Sequence, residues 1–348
     1  MKRIHIIAAL TAAALAAVTI FPFIGAAEVA PKLITEQFMI DAVDPGIKLY
    51  VRNKRPEDMR QFTPEKTLLF VHGATLPSEV TFDFPLDGLS WMDYIARQDW
   101  DVYLVEVRGY GRSTRPPEMD QPAASNPPIV TTDVAVKDVA SAIEFILQRR
   151  GISKLGLMGY SWGTVIMSAY TADHNDKVDS LVLVAPGWLR AAPPSQTASP
   201  PLGAYVAAPP TRDRLQAGAP DDRKNDLMPG FEAWSAAALA TDPVGSKQNP
   251  PVLRSPAGVF QDARNYWQAG RPYYDPARIK VSTLVIVAEW DGLNPPAGAQ
   301  AVFHKLPNGP DKRLVAIGEG THFVMLEKNR MQLFREVQLF LDKVRRPD

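Results

Sequence analysis

The stretch Leu155 to Tyr170, LGLMGYSWGTVIMSAY, decides how this chain is read. Leu155 to Met158 reads as the end of a short buried strand and Thr164 to Tyr170 as the start of an apolar helix. Gly159-Tyr160-Ser161-Trp162-Gly163 must therefore turn the chain sharply. A serine adds little to packing at such a turn. The G-x-S-x-G pattern between strand and helix has a chemical use instead: small flanking residues let two backbones approach, and the tight turn pushes the serine oxygen outward. Ser161 is accordingly a candidate nucleophile.

The surroundings repeat the strand-then-helix rhythm. EQFMIDAVDPGIKLYVRNKRP alternates apolar and polar residues on both sides of Asp44-Pro45-Gly46, as a hairpin does. TLLFVHG, from Thr67 to Gly73, and DVYLVEVRGYGRST begin as continuous apolar runs and leave into glycine-containing turns, the mark of strands buried on both faces. LSWMDYIARQ and TTDVAVKDVASAIEFILQRRG have helical spacing, the second with Gly151 as its stop. After the elbow come SLVLVAP, STLVIVAEWD, PAGAQAVFHKL, KRLVAI and NRMQLFREVQLFLDKV. This alternation predicts an α/β fold, a mostly parallel, doubly wound sheet of about eight strands with helices on both faces.

One interval breaks the rhythm. Residues 188–278 carry closely spaced prolines, small residues and many aromatics, with no comparable buried strand. They predict an inserted, mainly helical cap, with GFEAWSAAALA and SPAGVFQDARNYWQAG as its helices, leaving 28–187 and 279–348 as the core. Residues 1–27 have Lys2 and Arg3, an apolar run from Ile6 to about Ile24, and Gly25-Ala26-Ala27 at the end. That layout predicts a signal peptide cleaved after Ala27 and export to the periplasm or beyond; an uncleaved membrane anchor is the alternative.

The composition closes off several classes. At 348 residues, 46% hydrophobic and 22% charged, the chain has the makings of a sizeable core and is not globally disordered. The formal net charge is zero and no basic block occurs, which argues against nucleic acid as a partner. There is no cysteine, which excludes disulfides, thiolate metal sites and a cysteine nucleophile.

A serine hydroxyl is a weak nucleophile, so Ser161 needs a base in hydrogen-bonding reach and an acid to orient that base. The chain has five histidines. His5 lies in the leader, His174 past the first turns of the helix after Ser161, His304 at the end of another helix, and His72 at a strand end suited to shaping a turn. His322, in GEGTHFVMLEKNR, follows the last strand, at the sheet edge where ligands gather in parallel α/β proteins. Asp291, in STLVIVAEWDGLNPP, leaves the penultimate strand at the same edge; Glu289, two residues earlier, competes less well because it is still close to the strand. The developing oxyanion needs donors as well. The N–H of Trp162 at the helix start is one, and Ala74 after FVHG is the second, with Thr75 next.

FVHG, VEVRGYGRST, GYSWGT, STLVIVAEWDGLNPP and GTHFVMLEK stand in the order found in the α/β-hydrolase fold family, which the chain resembles over nearly everything after residue 27. Glu106 stands where that family usually has Asp. GYSWG resembles proline iminopeptidases and small esterases, whereas haloalkane dehalogenases and epoxide hydrolases place Asp at the nucleophile position. The resemblance implies a Ser-His-Asp serine hydrolase without metal or organic cofactor, and the aromatic-rich cap suggests an apolar or aromatic ester, or a lactone, as its small-molecule substrate. An aminopeptidase is the alternative, which needs a cap carboxylate such as Asp213, Glu232 or Asp262 to hold the substrate amine. A cofactor-free perhydrolase would use the same triad, and a non-catalytic ligand sensor is the remote alternative. Tyr160, beside the nucleophile, and Trp188, Trp234 and Trp267 of the aromatic-rich interval are the candidate substrate-binding residues.

Overall fold

A computed structural model describes residues 30–189, 201–309 and 311–343. The proposed leader, 1–27, lies outside them. Among the described residues no helix is long and apolar enough to cross a membrane.

The predicted hairpin forms from β1 (Leu33–Asp41) and β2 (Lys48–Pro56), antiparallel from Leu33↔Pro56 to Asp41↔Lys48. Gly46, at φ 78°, takes the left-handed position of its turn. The remaining strands are β3 (Thr67–Val71), β4 (Asp101–Val105), β5 (Leu155–Tyr160), β6 (Val178–Val184), β7 (Tyr205–Ala208), β8 (Leu253–Pro256), β9 (Ser282–Ala288) and β10 (Lys312–Ile317). The main sheet has eight strands in the order β1-β2-β4-β3-β5-β6-β9-β10. From β4 onward every pairing is parallel.

The apolar runs split by parity, as a two-faced strand requires. In β3, Leu68 and Phe70 point to one side of the sheet and Leu69 and Val71 to the other; in β5, Met158 and Tyr160 oppose Leu155 and Leu157. On the first face pack the helices Trp91–Ala96 and Arg330–Lys343, whose Trp91 and Phe334 rings stack at 5.0 Å. On the second pack Thr132–Arg150, Trp162–Asp173 and Pro296–Lys305. Ser90 and Asp93 close a capping box at the start of the Trp91 helix, and Gly151, at φ 65°, ends the Thr132 helix as its spacing predicts.

Between β6 and β9 the described chain holds the short helices Arg212–Leu215, Lys224–Leu227, Phe231–Ala240 and Gly258–Asn265, together with an antiparallel pair, β7 and β8. That second sheet departs from the sequence reading. Ser255 and Pro256, expected at the start of a helix, end β8 instead, and Pro256 lacks an N–H, which an edge position tolerates. Strands of four residues leave too short an alternation to read.

The lobe is fastened to the core by buried polar contacts. Arg254 pairs with Asp242 at 2.8 Å and donates to the Met119 carbonyl at 2.6 Å. The Asp262 carboxylate accepts the backbone N–H of Thr132 at 2.6 Å, at the start of a core helix. Trp234, fully buried, donates its indole N–H to the Val80 carbonyl at 2.8 Å. Trp234→Ala removes both that bond and a large packed volume, so it lowers unfolding free energy by ~3–5 kcal/mol, read by denaturant titration. A loss below ~1 kcal/mol would show that the lobe does not depend on this anchor.

Candidate active site

The elbow forms because glycine leaves room for it. A side-chain carbon on Gly159 would run into the Gly163 carbonyl, and one on Gly163 would sit 2.6 Å from the carbonyl oxygens of both Val71 and His72. The end of β5, the end of β3 and the first turn of the Trp162–Asp173 helix thus meet at van der Waals limits. Ser161 itself is held at φ 54° and ψ −115°, a region that non-glycine residues rarely occupy, with its N–H bound to the Val184 carbonyl at 2.9 Å. Strain of this kind costs about 1–3 kcal/mol and persists only where the surroundings enforce it.

The three residues selected from the sequence meet here. His322 Nε2 lies 2.9 Å from Ser161 Oγ, and His322 Nδ1 lies 2.8 Å from Asp291 Oδ2. The other Asp291 oxygen accepts the N–H groups of Leu293 at 3.0 Å and Asn294 at 2.7 Å, so the carboxylate is fixed on both sides. Asp291 and His322 are buried. The backbone of His322 is held as well: Tyr160 Oη donates to its carbonyl at 3.0 Å. Glu327 accepts from both the N–H and the hydroxyl of Thr321, the preceding residue. Burial raises the Glu327 carboxyl to about 7.

The competitors lie elsewhere. Glu289 accepts the Glu319 N–H at 2.9 Å and is exposed. His72 is buried, with Nδ1 donating to the Gly73 carbonyl at 2.7 Å and Nε2 accepting from the Val107 N–H at 3.2 Å. Burial lowers its pKa to about 4, so it stays neutral at pH 7. His174 caps the C-terminus of the helix that follows Ser161.

Ser161 opens into a cavity of about 330 Å³ whose walls include Ala74, Tyr160, Trp162, Phe260, Trp267 and His322. The Trp162 N–H is at the first position of its helix, where no partner within the helix exists, and Ala74 and Thr75 line the wall beside it. Two aromatic assignments need correction. Trp188 faces a neighbouring cavity of about 520 Å³, which shares only Leu293 and Asn294 with the first, and its ring packs edge-on against Tyr274. Trp234 is spent on the contact with Val80 described above and lines no part of the Ser161 cavity.

Asn294 and Arg214 are among the lining residues that the sequence alone did not single out. Asn294 donates to the Ala185 carbonyl at 2.9 Å and brings its amide within 3.5 Å of Ser161 Oγ; its place three residues after Asp291 was the available signal. Arg214, an exposed side chain, reaches the wall and donates to the Thr75 hydroxyl at 3.1 Å. The cap carboxylates do not join it. Asp262 binds Thr132, Glu232 pairs with Arg212 at 3.1 Å, and Asp213 is outside the lining.

Comparison with known proteins agrees with this architecture. Residues 66–329 match a family model described as the alpha/beta hydrolase fold. Over 110 residues the chain is 32% identical to a (lyso)-N-acylphosphatidylethanolamine lipase of Bos taurus, a match spanning 31% of this chain and 29% of that protein's length. Among solved structures, a 2-hydroxy-6-oxo-6-phenylhexa-2,4-dienoate hydrolase from Rhodococcus sp. strain RHA1 superposes with a TM-score of 0.60 at 14% identity, covering 89% of this chain and 99% of that one. An esterase from Rhodococcus sp. ECU1013 gives 0.56 at 17% identity, covering 88% and 99%. With the family match extending over most of its length, the chain belongs to the alpha/beta hydrolase fold family.

Proposed function

We propose that this protein is an exported serine hydrolase that cleaves carboxylic esters or lactones through an acyl-enzyme. The observation that carries the reading is the unbroken relay from Asp291 through His322 to Ser161, at 2.8 and 2.9 Å, opening into an aromatic-walled cavity. Asp291 accepts the Nδ1 proton of His322 and so leaves Nε2 free to accept. Ser161 Oγ attacks the substrate carbonyl carbon while its proton passes to Nε2, and the carbonyl electron pair moves to oxygen, held by the N–H groups of Trp162 and Ala74. Collapse breaks the bond to the alcohol oxygen, which takes the proton from Nε2. Water then adds to the acyl-enzyme with His322 as base, releasing the acid and restoring the Ser161 hydroxyl.

The ester reading is favoured over the aminopeptidase because the cap carboxylates that would hold an amine are engaged elsewhere or lie outside the cavity wall. The test is fluorophosphonate labelling of the purified mature protein with mass mapping, beside a panel of 4-nitrophenyl esters and amino-acid 4-nitroanilides. Label on Ser161, ester turnover and an N-terminus at Glu28 are the expected results. No label and no turnover would overturn the hydrolase reading, preference for an unblocked anilide would replace ester by peptide, and an N-terminus ahead of Glu28 would overturn the predicted cleavage.

A further inference from the structure

We propose that Arg214 receives an anionic group of the substrate, so that the cavity selects esters carrying a carboxylate or phosphate oxyanion near the scissile carbonyl. The proposal rests on the serine hydrolase reading above. Among the described residues of the cavity wall, Arg214 is the only arginine, lysine or carboxylate; His322 apart, the rest is apolar, aromatic, hydroxyl or amide.

The guanidinium is also uncommitted. Arg212, two residues away, spends its donors on the Met228 carbonyl and on Glu232. Arg214 instead donates to a neutral hydroxyl, that of Thr75, and among the described residues no carboxylate pairs with it. A guanidinium has five N–H donors in a planar fork, matched to the two oxygens of a carboxylate or phosphate. An exposed cation at the edge of a largely apolar wall, with no carboxylate partner among the described residues, disfavours an ammonium substrate and is open to an anion that a substrate would bring.

Its position specifies where that anion sits. Thr75 follows Ala74, the oxyanion donor candidate, so the guanidinium stands on the side of the cavity where the carbonyl oxygen is to be held. The cavity, at about 330 Å³, is at the small end of the ~300–1,000 Å³ usual for ligand sites. A short acid half-ester fits that description by itself; a phosphate would arrive on a headgroup, with its acyl chain extending past the aromatic wall.

The experiment compares matched pairs. Wild type, Arg214→Gln and Arg214→Lys are assayed on 4-nitrophenyl hydrogen glutarate against 4-nitrophenyl valerate, and on lysophosphatidic acid against the monoacylglycerol of the same chain. The readout is the ratio of kcat/KM, anionic over neutral. Wild type is expected to favour an anionic partner about tenfold or more, R214Q to bring that ratio close to one, and R214K to keep part of it. Because Arg214 is exposed, the preference shrinks as ionic strength rises. Preference within the glutarate pair assigns the anion to a short diacid, and preference confined to the lipid pair assigns it to a phosphate headgroup. Equal ratios in wild type and R214Q overturn the proposal. Calorimetric binding of the same two nitrophenyl esters to Ser161→Ala, with and without R214Q, needs no turnover. Anion preference there, lost with R214Q, upholds the Arg214 role even if the hydrolase reading fails, and its absence refutes that role alone.

Discussion

Ser161→Ala is expected to reduce kcat on the best ester by at least about 10³-fold and as much as ~10⁶-fold, the range seen when the nucleophile of such a relay is removed. Only one oxygen leaves. His322 keeps Asp291, and the cavity keeps its volume and its aromatic wall. Alanine retains the Cβ that already sits at φ 54°, so the backbone strain is neither relieved nor increased. Circular dichroism and the unfolding midpoint should therefore match the parent. Steady-state kinetics on freshly purified variant decide the matter: residual activity above about 10⁻³ of the parent, with contaminating enzyme excluded by inhibitor titration, would mean that another group attacks the carbonyl.

Asp291→Asn should cost nearly as much, about 10⁴-fold in kcat, for a different reason. The amide oxygen still accepts the N–H groups of Leu293 and Asn294, so the turn after β9 survives. The amide nitrogen, however, donates where Oδ2 accepted from His322 Nδ1 at 2.8 Å. The imidazole then carries its proton on Nε2, the atom that faces Ser161, and has no lone pair there to take the hydroxyl proton. Glu289→Gln provides the comparison, since its carboxylate is bound to the Glu319 N–H on the exposed side. A fall of less than about tenfold in D291N, or a larger one in E289Q, would move the orienting role to Glu289.

The parallel strands were legible because burial on both faces forces continuous apolar runs, and parity along β3 and β5 then distributes those side chains to the two layers. Ser161 was legible because the elbow imposes small residues on both sides of it, and His322 because only five histidines competed. What stayed hidden depends on partners far along the chain. Trp234 and Trp267 look alike in sequence, but a carbonyl 154 residues away claims Trp234. Asn294 takes its orientation from Ala185, 109 residues earlier. Arg212 and Arg214 differ only in which of them finds an acid, and β7 finds its partner in β8 across the whole middle of the lobe. Local pattern carries no record of such pairings.

The contact between Asp262 and Thr132 bears on how this scaffold is to be engineered. Thr132 receives the Asp262 carboxylate on its N–H and offers its hydroxyl to the indole N–H of Trp162 at 3.0 Å, one residue from Ser161. A graft that exchanges residues 188–278 for the lobe of another hydrolase would remove the carboxylate that satisfies the first turn of a core helix and would loosen the residue behind the nucleophile. Chimeras made to change selectivity therefore have to transplant an acid at that position, or supply a new cap from Thr131, before their altered specificity can be separated from a damaged catalytic turn.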